Sequence, residues 1–238
     1  MIIEQTTDLG DDALKKPGKY KGLMGISIFH KFFAKKRMEF FFSWGTKQFS
    51  EFVILLMDDP DKYNCMIFND LKEADALKKA RTVSDEIKRS YEKKLRTLGI
   101  TNVTVLQFRD FIDDPEYIHV LDVIKEYINE DPLFKEDLTG LMEMGIGEKI
   151  KDFMNQADTI DTSVEKIKSI LFMYIVEELA SLIYFTEKGY PIEVDPTREF
   201  STKKLVYEGS FPNLYKKLKL TKRGHIYAHP EGIQKSTY

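Results

Sequence analysis

The sequence of 238 residues contains a single cysteine, Cys65, which excludes a disulfide framework and a cysteine-based metal cluster. It also lacks a glycine-rich phosphate loop and a kinase signature. No apolar run approaches the roughly 20 residues of a membrane span, and the polar segment from Met1 to Lys21 has no signal-peptide core. We therefore expect a cytoplasmic protein without a membrane partner.

A strong net charge is absent too, because 36 lysine and arginine residues nearly balance 39 aspartate and glutamate residues. The resulting net charge of −3 gives no global attraction to nucleic acid, so any such affinity must come from a local patch. Hydrophobic residues make up 42% of the chain and aromatic residues 13%, which is enough to fold one sizeable domain with a full core.

Short apolar runs alternate with helical segments along the chain. The runs that indicate strands lie at residues 22–29, 53–57, 102–108, 190–194 and 204–208, and helices are predicted at 71–98, 115–129, 132–154 and 162–189. This order predicts an α/β fold with a mostly parallel sheet and helices on both faces. We place this domain at residues 22–215, between a polar N-terminal segment (1–21) and a basic, loosely held tail (216–238).

Tyr174 and Glu178 lie one helical turn apart in the most apolar stretch of the chain. Their spacing places both side chains on one helix face, whereas Glu177 points about 100° away from Glu178. A carboxylate removed from water costs several kcal/mol unless a partner compensates for its charge. That partner could be the ammonium group of a substrate or a structural lysine or arginine, and the sequence leaves both interpretations open.

Ser27 follows Gly25 and Ile26 at the end of the first predicted strand. Ligands of α/β sheets bind outside the carboxyl ends of the strands. A serine at this place can therefore act as a nucleophile, and a nearby glycine lets a substrate approach the backbone. Taken alone, these three residues carry little information, and a small residue that merely ends a strand is the simpler interpretation.

A basic helix extends from Lys78 to Arg96, and three of its residues, Arg89, Lys93 and Arg96, are spaced to share one face. Such a stripe can hold the phosphates of a nucleic acid, although most charge runs are simply solvated helix surfaces. The candidate phosphate-binding residues are Lys78, Lys79, Arg81, Lys88, Arg89, Lys93, Lys94 and Arg96.

Together these residues resemble the signatures of the cyclodipeptide synthases. That family has a Gly-x-Ser nucleophile after its first strand, a Tyr-x-x-x-Glu pair on a buried helix and a tyrosine on a later strand. The corresponding residues here are Gly25 to Ser27, Tyr174 to Glu178, and Tyr190. The segments 43–45 and 53–58 also resemble the family's second helix and strand, whereas Leu179-Ala180 stands where many members have a proline.

The resemblance implies a single Rossmann-like domain, similar to the catalytic domain of class I aminoacyl-tRNA synthetases. The His-x-Gly-His and Lys-Met-Ser-Lys-Ser motifs with which those enzymes bind ATP are absent here, which argues against an ATP-dependent ligase. The resemblance also implies the subfamily with a Tyr-Pro dipeptide on the late strand, because its three distinguishing positions correspond to His30, Tyr190 and Pro191.

The implied activity is an aminoacyl transfer that joins the aminoacyl groups of two aminoacyl-tRNAs into a cyclic dipeptide (a diketopiperazine). Ser27 would carry first an aminoacyl and then a dipeptidyl group. Glu178 and Tyr174 would bind the substrate ammonium group, and Tyr190 would assist the last proton transfer. The basic helix would bind tRNA. The resemblance implies no metal and no organic cofactor, and we expect a monomer.

The substrate pockets are also assigned by resemblance. The first side chain would enter a pocket formed by Leu23, Gly25, Leu55, Met57, Ser181 and Leu182. His30 and Glu193 would border the second site. The alternative function is a synthetase-like domain that binds tRNA without catalysis, and the intact serine, tyrosine and glutamate argue against it.

Overall fold

The fold is built on one central sheet, seen in a computed structural model that describes residues 1–30, 35–140, 163–196, 210–219 and 223–230. The strands in this part of the chain are β1 (Ile2–Thr6), β2 (Gly22–Ile26), β3 (Phe52–Leu56), β4 (Val103–Gln107), β5 (Ile192–Asp195) and β6 (Gly224–His229). Their order in the sheet is β1-β6-β5-β2-β3-β4. Only the pairing of β1 with β6 is antiparallel among these strands, which confirms the predicted, mostly parallel sheet.

Helices cover both faces of the sheet. The described helices are α1 (Asp8–Lys15), α2 (Lys35–Gln48), α3 (Asp58–Phe68), α4 (Glu73–Leu98), α5 (Pro115–Glu130), α6 (residues 132–140), α7 (Ser163–Glu187) and α8 (Pro212–Leu218). One apolar core lies between the sheet and α1, α2 and α4, and a second lies between the sheet and α5 to α8. Strand side chains alternate between the two cores, so that Leu23 faces α7 and Met24 faces α4.

The central strands align their carboxyl ends at one edge of the sheet. β3 is buried at every residue, as expected for a parallel strand covered on both faces. It pairs in continuous register with β2 on one side and with β4 on the other. We call the edge where these strands end the carboxyl edge. Ser27 directly follows β2 at this edge, and Met57 and Asp58 directly follow β3.

The predicted helix ends have the expected capping residues. Gly99 closes α4 in the left-handed conformation, with φ of 65°, which glycine adopts without steric cost. Pro115 begins α5, and the Asp114 side chain accepts a hydrogen bond from the Glu116 N–H at 2.8 Å. The predicted strand at 204–208 and residues 141–154 of the helix predicted at 132–154 lie outside the described residues.

The segment Ile167–Glu187 of α7 is long and apolar enough, by length and composition, to cross a membrane. An 18-residue window of this segment has a mean hydropathy of 1.5, and 61% of that window is buried within the fold. The segment is not an uninterrupted apolar run, because Glu177 and Glu178 lie in its middle. Core helices have the same properties, and α7 packs as one of them, between α3 and α5.

Strand β1, in the predicted polar N-terminal segment, and strand β6, in the predicted loosely held tail, both belong to the sheet, which corrects those two predictions for these residues. β6 lies between β1 and β5. The Thr7 hydroxyl accepts the His225 N–H at 2.9 Å, and the Thr7 N–H donates to the His225 carbonyl at 3.1 Å. The tail was difficult to predict because the two inward apolar residues of β6, Ile226 and Ala228, alternate with polar and aromatic side chains.

Candidate active site

Ser27 lies at the carboxyl edge, as predicted. The chain turns directly after it, and the His30 N–H donates to the Ser27 carbonyl at 3.3 Å. The Ser27 hydroxyl donates a hydrogen bond to Asp61 Oδ1 at 2.9 Å. A carboxylate is therefore in contact with the oxygen that would act as the nucleophile.

Asp61 is fully buried near the start of α3 and was not predicted from the sequence. Its Oδ2 accepts the Ile28 N–H at 2.5 Å, and its Oδ1 also accepts the Asn64 side-chain amide at 2.5 Å. This carboxylate therefore holds both the Ser27 hydroxyl and the backbone that follows it. The available signal was a group of three aspartates, at positions 58, 59 and 61, directly after a buried strand.

Tyr174 and Glu178 lie one turn apart on α7, as predicted. Burial raises the pKa of Tyr174 well above its ordinary value, and the negative charges of Glu178, Asp61 and Asp195 raise it further. The tyrosine hydroxyl therefore stays protonated and can donate a hydrogen bond. Because Asp61 contacts Ser27 and its charge acts on Tyr174, the tyrosine of α7 lies near the serine that follows β2.

Glu177 has surroundings different from those of its neighbour Glu178. The Tyr63 hydroxyl donates to Glu177 Oε1 at 2.7 Å, and Lys62 Nζ lies 3.9 Å from the same oxygen. Burial raises the pKa of Glu177, whereas the charge of Lys62 and the hydrogen bond from Tyr63 lower it. Glu177 therefore connects α7 with α3, which is a structural role.

Asp58 and Asp59 begin α3 and are also buried. Asp59 forms a bidentate ion pair with Arg81, at 2.8 and 2.7 Å. Asp58 accepts the Phe108 N–H at 2.8 Å and lies 3.6 Å from Arg109. Burial raises the pKa of Asp58 to about 6, and the charge of Asp59 adds to this shift. These contacts connect α3 to α4 and to the turn after β4.

Tyr190 does not lie near Ser27, which argues against its predicted assistance of the last proton transfer. It precedes β5, whose first residue, Ile192, is in register with Gly22, the first residue of β2. On that register Tyr190 and Ser27 are separated along the strands by roughly 20 Å, at about 3.3 Å per residue. The Tyr190 hydroxyl instead donates to Glu51 Oε2 at 2.9 Å, at the opposite edge of the sheet.

The residues predicted for the first substrate pocket lie on the α7 face of the sheet. Four of them belong to one apolar cluster: Leu23, Leu55, Met57 and Leu182. Gly25 leaves open space at this face, because the nearest atom to an added Cβ would be Met57 Sδ at 3.9 Å. The buried Ser181 hydroxyl donates to the Glu178 carbonyl at 2.7 Å, so it caps a group of its own helix.

The two residues predicted to border the second site lie on different elements. Glu193 is buried on β5 beside Leu23, and Arg223 lies 3.9 Å from its carboxylate. Because paired residues of parallel strands share a face, Glu193 faces α7 as Leu23 does. His30 is partly buried in the turn that follows Ser27.

The eight basic residues predicted on α4 fall into two groups. Four are engaged within the protein: Arg81 with Asp59, Lys79 with Asn69, Lys88 with Asp110 and Lys94 with Glu39. The other four are exposed and form no ion pair among the described residues: Lys78, Arg89, Lys93 and Arg96. We call these four the basic stripe. They lie within about 60° of one another around α4 and extend over about 27 Å of its length.

Comparison with solved structures first defines the class of fold. The tyrosyl-tRNA synthetase of Archaeoglobus fulgidus, solved with L-tyrosine, matches this chain with a TM-score of 0.53 and 10% identity. The match covers 95% of this chain and 60% of the synthetase. The predicted similarity to class I aminoacyl-tRNA synthetases is therefore confirmed at the level of the fold.

The sequence then defines the family. The profile of the cyclodipeptide synthases matches residues 18–180, and the chain therefore belongs to the cyclodipeptide synthase family. The family member from Fluoribacter dumoffii has a TM-score of 0.76 and 16% identity, over 94% of this chain and 95% of that one. The synthase from Candidatus Glomeribacter gigasporarum, solved bound to Phe-tRNAPhe, has a TM-score of 0.64 and 15% identity, over 94% and 92%. Among curated proteins, none matches this chain.

Proposed function

We propose that this protein is a tRNA-dependent cyclodipeptide synthase that joins the aminoacyl groups of two aminoacyl-tRNAs. The observation that carries the proposal is the meeting of Ser27, from the end of β2, with Tyr174 and Glu178, from α7, around the carboxylate of Asp61. Membership of the family supports the reaction type. The family member solved with Phe-tRNAPhe supports aminoacyl-tRNA as the substrate.

In the first step the Ser27 oxygen attacks the ester carbonyl of an aminoacyl-tRNA, and the tRNA leaves. The product is an aminoacyl group bound to Ser27 by an ester bond. The ester of aminoacyl-tRNA is already activated, so this step needs no ATP. Glu178 supplies a negative charge for the substrate ammonium group, and the protonated hydroxyl of Tyr174 supplies a hydrogen-bonding group beside it.

In the second step the amine of the bound residue attacks the ester of a second aminoacyl-tRNA, which leaves a dipeptidyl group on Ser27. The terminal amine of this dipeptide then attacks the Ser27 ester, closes the ring and frees the serine. Each attacking ammonium must first lose a proton, and we assign its acceptance to Glu178. Because Tyr190 lies at the opposite edge of the sheet, we assign the proton transfers to Tyr174 and Glu178 instead.

The basic stripe is the surface that we propose for tRNA binding. Its four side chains are exposed and lie in one row along α4. A row of about 27 Å can contact several successive phosphates of a nucleic-acid backbone. The four engaged basic residues of α4 contribute less, because each would have to leave an internal partner.

The finer assignment to the Tyr-Pro subfamily stays a prediction. It depends on His30, Tyr190 and Pro191 as the three distinguishing positions. The place of Tyr190, with its hydroxyl on Glu51, weakens that correspondence.

The test uses the purified protein with aminoacylated bulk tRNA and no ATP. We expect an aminoacyl adduct on Ser27 by intact-mass and peptide mass spectrometry, and a cyclic dipeptide in the supernatant. Ser27→Ala should abolish both while the protein still folds, because the serine hydroxyl contributes only one hydrogen bond to a carboxylate, worth about 1.5–3 kcal/mol. Binding of tRNA without adduct or product would instead favour the non-catalytic tRNA-binding domain. An absolute requirement for ATP would favour a ligase.

A further inference from the structure

Asp61 is in contact with the atom that would react first. Its Oδ1 lies 2.9 Å from Ser27 Oγ, which is within the range of about 2.6–3.2 Å required of a general base. The Ser27 hydroxyl is the donor in this hydrogen bond, so the proton that must leave during the attack already points at the carboxylate.

The rest of the Asp61 carboxylate is fixed by two further donors. The Ile28 N–H binds Oδ2 at 2.5 Å, and the Asn64 amide binds Oδ1 at 2.5 Å. Asp61 also lies near the N-terminus of α3, where the helix dipole favours a negative charge. These contacts hold the carboxylate rigidly while Oδ1 keeps its contact with the serine.

We propose that Asp61 is the general base that activates Ser27 for attack on the first aminoacyl-tRNA. The inference rests on the proposed function and adds a catalytic residue to it. Tyr174 is a poor alternative base, because burial and the surrounding carboxylates keep its hydroxyl protonated. A protonated tyrosine is better suited to donate a hydrogen bond than to accept a proton.

The proposed step balances without any further reactant. The bond between Ser27 Oγ and the carbonyl carbon forms while the Ser27 proton moves to Asp61 Oδ1. The bond between the carbonyl carbon and the ribose oxygen of the tRNA then breaks. The ribose oxygen takes the proton from Asp61, so the carboxylate is restored and the tRNA leaves with a free hydroxyl group.

A four-protein cycle tests this role. The rate of adduct formation at position 27 is measured by rapid-quench mass spectrometry for the wild-type protein, Asp61→Asn, Ser27→Cys and the double variant, each with aminoacylated bulk tRNA. We expect Asp61→Asn to slow serine acylation by at least about a hundredfold, the lower end for general base catalysis. In the Ser27→Cys background the same change should cost less than about tenfold, because a thiol of ordinary pKa near 8.5 ionises without a base.

Asp59→Asn is the matched control, because it makes the same chemical change two residues away on α3. It breaks the pair with Arg81 and should lower the melting temperature without slowing acylation. If Asp61→Asn itself does not fold, Asn64→Ala replaces it in the cycle. Removal of the amide loosens Asp61 and should slow serine acylation more than cysteine acylation.

The experiment distinguishes a failure of the Asp61 inference from a failure of the proposed function. Serine acylation at the wild-type rate in Asp61→Asn overturns the inference and leaves the proposed function intact. Equal losses with serine and cysteine also overturn it, because a carboxylate that only shapes the loop would affect both nucleophiles alike. A wild-type protein that forms no adduct at all overturns the proposed function, and the inference with it.

Discussion

Glu177 and Glu178 are adjacent in the chain but have different partners. Glu177 contacts Tyr63 and Lys62 and so connects α7 with α3. Glu178 lies instead on the face of α7 that carries Tyr174 and raises the pKa of that tyrosine. The two carboxylates can therefore be distinguished by one pair of variants.

We expect Glu178→Gln to lower turnover at least tenfold with little change in melting temperature. Glutamine keeps the shape and a carbonyl acceptor but loses the charge that holds the substrate ammonium. A charge-assisted hydrogen bond contributes about 1.5–3 kcal/mol, and about 1.4 kcal/mol corresponds to a factor of ten in rate. Turnover is measured with aminoacylated tRNA, and the melting temperature by thermal unfolding.

Glu177→Gln is the control for that experiment, since the same atoms change one residue away. It weakens the contacts with Tyr63 and Lys62, so it should lower the melting temperature and leave the chemical step close to that of the wild-type protein. A stable and active Glu178→Gln protein would contradict the assigned role of this carboxylate.

Part of the candidate site could be predicted from single residues. Tyr174 and Glu178 were singled out because a carboxylate is unusual in an apolar helix, whereas Ser27 was assigned from the resemblance of all the motifs together. Asp61 was not identified, because its role depends on a contact with Ser27, which is distant in the sequence and forms only in the folded protein. Tyr190 was misplaced because its dipeptide matched a motif, whereas its position before β5 places it at the wrong edge.

Among the helices, α4 carries two groups of basic residues with different surroundings. Its engaged residues hold α3, the turn after β4 and α2, through Arg81, Lys88 and Lys94. The basic stripe has no such internal partner among the described residues. Only the second group should therefore affect tRNA binding when its charges are changed.

Replacing Arg89, Lys93 and Arg96 together with glutamate should weaken tRNA binding and reduce its salt dependence. Each lost phosphate contact lowers the slope of log affinity against log salt by roughly one unit, so the loss should approach about three units. Binding is measured by filter retention over a salt series.

The control changes Lys79, Lys88 and Lys94 together to glutamine. This variant should keep most of the slope of log affinity against log salt. An unchanged slope in the first variant would mark the stripe as a solvated surface.

Elements with strong periodicity or clear caps could be predicted, and those defined by tertiary contacts could not. The strands β2 to β5 and the helices α4, α5 and α7 follow from apolar runs, proline starts and Gly99. α3 was missed because its acidic first turn, with Pro60, is also typical of a loop. β1 and β6 were missed because each becomes a strand only by pairing with distant parts of the chain.

At the scale of the whole molecule, β6 joins the two ends of the chain at a crowded contact. A Cβ at Gly224 would lie 2.7 Å from the Ile192 side chain and 2.9 Å from the Gly10 nitrogen. Gly224→Ala should therefore destabilise the protein by about 1–3 kcal/mol, as overpacking does in other cores. Urea unfolding measures the change. Gly140→Ala should not destabilise, because no other part of the described residues, apart from its own helix turn, lies within 4 Å of the added carbon; equal stability of both variants would contradict this expectation.

Four buried aspartates lie at the carboxyl edge, although the charge of the whole molecule is nearly balanced. Asp58, Asp59, Asp61 and Asp195 are each at most 5% exposed. For Asp58 the effect on stability has a definite sign, because burial raises its pKa from 3.8 to about 6. Between these two values the unfolded chain has released the proton while the folded protein still binds it. The free energy of unfolding therefore falls as the pH rises through this window.

Asp58→Asn should remove the fall in the free energy of unfolding that Asp58 causes as the pH rises. Asparagine keeps the carbonyl oxygen that accepts the Phe108 N–H, and Arg109 keeps its contact with Asp85. The variant should therefore gain stability relative to the wild-type protein from about pH 4 to about pH 7, by up to about 3 kcal/mol for a shift of two pKa units. Urea unfolding at several pH values measures this difference in the free energy of unfolding, in which the contributions of the other titrating groups cancel.

Asp59→Asn is the control. It breaks the pair with Arg81 and should be less stable than the wild-type protein at every pH. A difference between Asp58→Asn and the wild-type protein that stays constant over the window would show that Asp58 keeps its charge in the fold.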